Sequence, residues 1–143
     1  MQEINSFSGD NAFLSNFYLQ DMEFEGRSYK TSEHAFQAAK TEIESEKEKV
    51  RLAKTPASAK SLGKRVTLRK NWNYVRTSVM KEVLLVKFAN PELKEKLLAT
   101  GTAKLVEANS WNDTFWGTTL GGRGENRLGK ILMQIRDELT PKA

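Results

Sequence analysis

The sequence contains no cysteine, one histidine and three prolines in 143 residues, and its longest run of strongly apolar residues is four, at positions 83–86. Without cysteine there is no disulfide framework, no thiolate nucleophile and no sulfur-ligated zinc or iron–sulfur site. His34 is the sole imidazole, so no protein-built metal site is expected, and no cofactor is required by any residue pattern. Residues 1–10 lack a basic head followed by an apolar stretch, and four apolar residues fall far short of the roughly 20 that cross a bilayer. The expectations are therefore no signal peptide, no membrane partner and a reducing, cytoplasmic location.

What is present suits one globular unit. With 38% hydrophobic and 29% charged residues, the chain has the length and apolar content of a single domain spanning residues 1–143. A chain of that length buries roughly 68–70% of the surface its unfolded form exposes. The charge is unevenly distributed. Lys49, Arg51, Lys54, Lys60, Lys64, Arg65, Arg69, Lys70 and Arg76 fall in a stretch with no acidic residue, which leaves 14 basic and 18 acidic groups elsewhere. An acidic body thus carries a basic insert, and uncompensated cations ending at Asn71-Trp72-Asn73-Tyr74 combine phosphate affinity with aromatic surface. A lysine-rich solvated face is the alternative, although such faces normally interleave the two signs.

Local signals predict several elements. Residues 22–29 alternate around Gly26, as two short strands joined by a turn. Thr31 or Ser32 caps a helix running to about Lys40, and Thr55-Pro56 and Asn90-Pro91 each pair an N-cap with a first-turn proline. Gly63 and Gly101 stand where those helices should stop. Trp72, Val75, Val79, Val83 and Val86 recur at helical spacing from about Asn71 to Phe88, and Leu128, Ile131, Leu132, Ile135 and Leu139 form a second stripe. Residues 104–107 read as a short strand. The class is α+β, predominantly helical with a few short strands.

Three constellations carry candidate chemistry. On a helix, Glu33, Gln37 and Lys40 share one face and Phe36 and Ala39 another, with Glu33 in the first turn where the macrodipole favours its ionised form. An ordinary solvated face with salt-bridge spacing explains the same pattern. In residues 111–117, Asp113 is flanked by Trp111, Phe115 and Trp116, a carboxylate beside flat apolar surfaces suited to stacking a nucleobase or sugar and handling a proton. Equally, the aromatics pack in a core and Asp113 caps a turn. Residues 121–129 are glycine-rich and lead into the last helix, so backbone amides there, with Gly122, Arg123 and Arg127, could hold a phosphate. They do not form a P-loop, because the GxxxxGK[ST] pattern is absent.

Together these segments resemble a known family. Residues 13–18 (FLSNFY), 29–40 (YKTSEHAFQAAK), Trp72 with Val79-Met80, Lys87-Phe88, residues 97–101 (LLATG), 105–107 (LVE), Asp113, Trp116-Gly117, residues 124–129 (GENRLG) and Leu132-Met133 occur in this order in the NADAR (NAD- and ADP-ribose-associated, YbiA-like) family. The resemblance runs from Phe7 to the last helix. It implies a mainly helical fold with a few short strands and an N-glycosidase activity on phosphorylated ribosylamino intermediates of riboflavin synthesis or on ADP-ribose attached to guanine, including guanine in DNA. It implies that Glu33, Trp72 and Asp113 are essential, that Lys40 is the covalent or ribose-contacting group, and that Asn16, Phe17, Tyr18, His34, Gln37, Trp116, Gly117 and Asn126 belong to the substrate site.

A base–ribose C–N bond breaks with positive charge developing at the anomeric carbon, so a carboxylate beside it lowers the barrier. The leading expectation is a monomeric N-glycosidase acting on ADP-ribosylated guanine, free or in nucleic acid. Ribosylamino riboflavin intermediates are the alternative substrate. Two other classes compete with these: a non-catalytic ADP-ribose or NAD-binding module, which would need neither Glu33 nor Lys40, and a protein that reads nucleic-acid backbone charge through residues 49–76.

Overall fold

The structure is a computed structural model that describes residues 2–142. Its elements follow the order β1 (Glu3–Ile4), a 3-10 helix (Gly9–Leu14), β2 (Met22–Phe24), β3 (Arg27–Tyr29), α1 (Ser32–Ala38), α2 (Glu44–Arg51), α3 (Pro56–Gly63), α4 (Trp72–Lys87), α5 (Pro91–Ala99), β4 (Lys104–Leu105) and α6 (Arg127–Leu139). This is the predominantly helical α+β class that the local signals predict. No helix among the described residues is long and apolar enough to cross a membrane. The elements gather into two units, one made of the residues up to Ser15 with those from Phe88 on, the other of Asn16–Lys87.

In the Asn16–Lys87 unit, β2 and β3 form an antiparallel hairpin with Met22 opposite Tyr29. Its turn residues Glu25 and Gly26 both have positive φ, the backbone that a two-residue hairpin turn requires. Thr31 caps α1 as expected, its hydroxyl accepting the His34 N–H at 3.1 Å, and Thr55 caps α3 by accepting from Ser58 N–H. The structure departs from the sequence expectation along α1. Every residue from Ser32 to Ala38 is buried, including Ser32, Glu33, His34 and Gln37, so no solvated face exists. Helices α2, α3 and α4 and strand β3 all pack against it. A seven-residue polar helix is stable in that position only if its polar atoms find partners inside the protein.

The buried stripe of α4 is also rotated from the expected one. Trp72, Val79 and Val83 face inward with Met80, Leu84 and Lys87, whereas Val86 is 37% exposed. Helix α2, which has no apolar stripe in the sequence, buries only Val50 and is held by ion pairs of Arg27 with Glu44 and Glu48.

In the other unit, β1 and β4 pair in parallel with Ile4 opposite Leu105. Phe13 meets the edge of Phe88 at 6.4 Å. Asn90 caps α5 by accepting the Leu93 N–H at 3.1 Å. Helix α6 buries Leu128, Ile131, Leu132 and Ile135, the predicted stripe without Leu139. It approaches β4 so closely that a side chain at Gly129 would overlap the Leu105 carbonyl oxygen, and that closeness sets where the glycine-rich segment ends.

Candidate active site

The start of α1 is anchored by an upstream loop. Asn16 offers its backbone carbonyl to the Glu33 N–H at 3.1 Å and its side-chain oxygen to the Ser32 hydroxyl at 2.7 Å, while its amide nitrogen faces the Met80 sulfur. With Thr31 accepting from His34, two first-turn N–H groups that no intrahelical carbonyl can reach are satisfied. His34 is fully buried. Its Nδ1 lies 2.7 Å from the Thr31 hydroxyl and its Nε2 3.0 Å from the Ala53 carbonyl, so the ring ties α1 to the segment after α2. Burial, the larger effect, holds its pKa below the ordinary value against the bond to Ala53. Asn16 and His34, expected at the substrate, thus have their polar atoms engaged by the protein.

Glu33 projects from that anchored turn and is 8% exposed. Gln37, one turn on, donates from Nε2 to Glu33 Oε2 at 2.5 Å. The Gln37 Oε1 atom is buried with no hydrogen-bond partner, a condition that costs about 1–3 kcal/mol. Lys40 follows at the end of the helix. Its carbonyl accepts the Arg69 N–H at 2.8 Å, and Thr41 donates to Glu46, whose carboxylate also accepts the backbone N–H and hydroxyl of Thr67. These ties fix the chain on both sides of the lysine. Burial lowers the Lys40 pKa, and Lys64, Lys60 and Arg76 lower it further, while Glu33 works in the opposite direction. The uncharged amine is therefore favoured relative to an ordinary lysine, and an uncharged amine is the nucleophilic form.

Trp72 is 5% exposed and lies 5.2 Å from the Phe36 ring at an interplanar angle of 51°. The indole braces α1 from α4 instead of presenting an open face, which differs from its expected stacking on a base or ribose. The basic insert is not one surface either. Arg51 bonds Glu48 at 2.8 Å, whereas Lys60, Lys64 and Arg76 from α3 and α4 form the cationic surroundings of Lys40. Tyr74 is 90% exposed and Phe17 is also exposed, while Tyr18 has the Lys87 ammonium 5.8 Å from its ring centre.

The unit that begins and ends the chain carries a second cluster. Asp113 Oδ1 accepts the N–H groups of Phe115 at 3.1 Å and Trp116 at 2.9 Å, and Asn109 holds the Asp113 backbone by donating to its carbonyl and accepting from its N–H. One oxygen of this carboxylate thus caps a turn. Trp116 meets Phe115 edge-on at 4.8 Å, and Arg127 covers the other ring at 4.4 Å. A side chain at Gly117 would overlap the Glu107 carbonyl, so glycine lets this loop close on the residues after β4. Asn126, in the left-handed region at φ 49°, donates to the Leu105 carbonyl and accepts from the Glu107 N–H, which positions the start of α6. Gly122 and Arg123 are exposed in the preceding turn, with Arg123 N–H bonded to the Thr119 hydroxyl.

The sequence of residues 5–140 matches the model of the NADAR domain. The chain belongs to the NADAR family. It is 42% identical over 138 residues to a protein named N-glycosidase YbiA from Escherichia coli, covering 94% of this chain and 86% of that one. A riboflavin biosynthesis protein from Vibrio vulnificus is 38% identical over 94% of this chain, which corresponds to 37% of that protein. The NMR structure of E. coli YbiA has a TM-score of 0.85 to this NADAR chain at 40% identity, covering 97% of this chain and 86% of that one.

Several residues whose placement the structure reveals carry no clear signal of their own. Lys60, Lys64 and Arg76 are hidden among nine similar cations, and only the packing of α3 and α4 on α1 distinguishes them. Lys87 is 1% exposed, and burial lowers its pKa to about 7. Its spacing of four from Val83 was the available clue to a buried position, since that places it on the inward stripe of α4.

Proposed function

We propose that this protein is an N-glycosidase that cleaves the C–N bond between a base and a phosphorylated ribose, with ADP-ribose on guanine as its substrate and Lys40 as the nucleophile. Residues 1–143 are taken as a single NADAR domain in this reading. The observation that carries it is a buried carboxylate on one short, anchored helix and a lysine held toward its neutral form in the turn that ends it. A binding module needs the cations but has no use for a nucleophilic amine beside a carboxylate.

In the reaction, the Lys40 lone pair forms a bond to the anomeric carbon as the bond to the base breaks, and the departing base keeps the electron pair and takes up a proton. The Glu33 carboxylate lies near the developing positive charge and accepts the extra proton of the attached amine. The resulting glycosylamine opens its ring to a Schiff base. Water adds to the same carbon, the amine leaves, and Lys40 is restored, so one water is consumed overall. Lys60, Lys64 and Arg76 would oppose a cationic transition state by themselves. A substrate that brings phosphates neutralises them, which is why an anionic sugar fits this surrounding. Asp113 is the second proposed carboxylate, taken from the family resemblance.

Incubation with an oligonucleotide bearing ADP-ribosylated guanine should release free ADP-ribose. Borohydride added during turnover should leave a reduced sugar adduct on the peptide containing Lys40, detectable by mass spectrometry. A second reading is favoured by the relative named for riboflavin biosynthesis: cleavage of ribosylaminopyrimidine phosphates. Base release from those compounds alone would put that substrate first, and no release from either would remove the enzymatic reading.

A further inference from the structure

Glu33 can serve one reaction geometry only if its carboxylate is held, and one group that holds it is the Gln37 amide. That amide is itself confined. A Cβ built on Gly63, at the end of α3, would overlap Gln37 Oε1 and come within 2.7 Å of Cδ and 3.1 Å of Cβ. The side chain of Gln37 therefore occupies the space that any other residue at position 63 would fill. Gly63 has an ordinary helical backbone and no positive φ, so conformational freedom does not explain a glycine there. Its bare Cα accounts for the close approach of α3 to α1.

We propose that Gly63 is a positioning residue for the reaction: it admits the Gln37 amide between α3 and α1, and through Gln37 Nε2 it orients the Glu33 carboxylate toward the sugar. The orphaned Oε1 follows from the same arrangement. It rests against α3 where no donor is available, while the opposite end of the amide makes the bond that matters to Glu33. The inference depends on Glu33 being catalytic, as proposed above.

Substitution separates this role from helix packing in general. Gly63→Ala should lower kcat about tenfold to a hundredfold, as expected when a reacting group is misplaced by about 1 Å, and leave KM within about twofold. Gln37→Ala should do the same by removing the clamp outright. The decisive variant is the double substitution Gly63→Ala/Gln37→Ala, in which the added methyl has room. It should fold, with a Tm at or above that of Gln37→Ala because alanine is the better helix former, and its kcat should equal that of Gln37→Ala alone. If Gly63→Ala by itself does not fold, this double variant still decides. Wild-type kcat in Gly63→Ala, or a double variant that is unfolded or slower than Gln37→Ala, overturns the proposal. Glu33→Gln serves as the reference: if it is inactive while Gly63→Ala is normal, only the positioning role fails, whereas full turnover by Glu33→Gln removes both this role and the catalytic reading.

Discussion

Glu33 and Asp113 are the two candidate carboxylates, but the protein uses their oxygens differently. Glu33 is bonded by a side-chain amide, sits in the first turn of a buried helix and lies near an amine whose charge is disfavoured. Asp113 turns one oxygen to two backbone N–H groups of its own loop. A carboxylate that caps a turn contributes to stability wherever it occurs. One held by a side chain next to a perturbed lysine is the one proposed here for chemistry, because a buried carboxylate and a half-buried amine are costly to keep together.

The largest effect should come from breaking the first member of this pair. Glu33→Gln keeps the shape of the side chain and removes its charge, so kcat should fall by about 10²–10⁴ while substrate binding stays measurable by calorimetry. Turnover at the wild-type rate would show that the buried carboxylate is structural. Lys40→Ala should reduce turnover by a comparable or slightly smaller factor of about 10² or more, and it should abolish the borohydride adduct. An active Lys40→Ala with no adduct in the wild type would leave direct attack by water.

Asp113→Asn tests the second member. The amide oxygen can still accept from Phe115 and Trp116, so Tm should change little while turnover falls by less than in Glu33→Gln. Asp113→Ala should in addition lose about 1 kcal/mol of stability, as for a lost cap, measurable by urea unfolding. Unchanged turnover in Asp113→Asn would confine this residue to capping. The smallest effect concerns the cations. Because Lys40 must lose its proton to attack, kcat/KM should rise with pH through a midpoint below the ordinary lysine value. Lys64→Gln removes one charge that disfavours the ammonium, so that midpoint should move to higher pH. A midpoint that stays in place or moves down would separate Lys64 from the site.

How much of this was legible in the residues differs between the two clusters. Caps at Thr31, Thr55 and Asn90, the hairpin around Gly26 and the stripe of α6 follow from local rules, since each depends on atoms a few positions apart. The spacing that predicts Glu33, Gln37 and Lys40 on one helix face is equally local, although α1 ends at Ala38 and leaves Lys40 in the following turn. What that face meets is not: residues 31–40 read as a partly solvated helix, and only the packing of α2, α3, α4 and β3 shows that it is buried. The alternatives left open for Asp113 were resolved for one of its oxygens by loop geometry that no spacing rule encodes.

The sequence by itself determined the family, the helical α+β class, the exclusion of thiol and sulfur-metal chemistry, and the identity of the candidate acid and amine. All of these depend on residue type and short-range order. The tertiary structure decided which three of nine cations surround Lys40, that Trp72 and His34 brace α1, that Lys87 is buried, and that Gly63 makes room for the Gln37 amide. Those outcomes depend on approaches between helices far apart in the chain, and a pKa or a hydrogen bond is set by what lies within a few ångströms, whatever the distance in sequence.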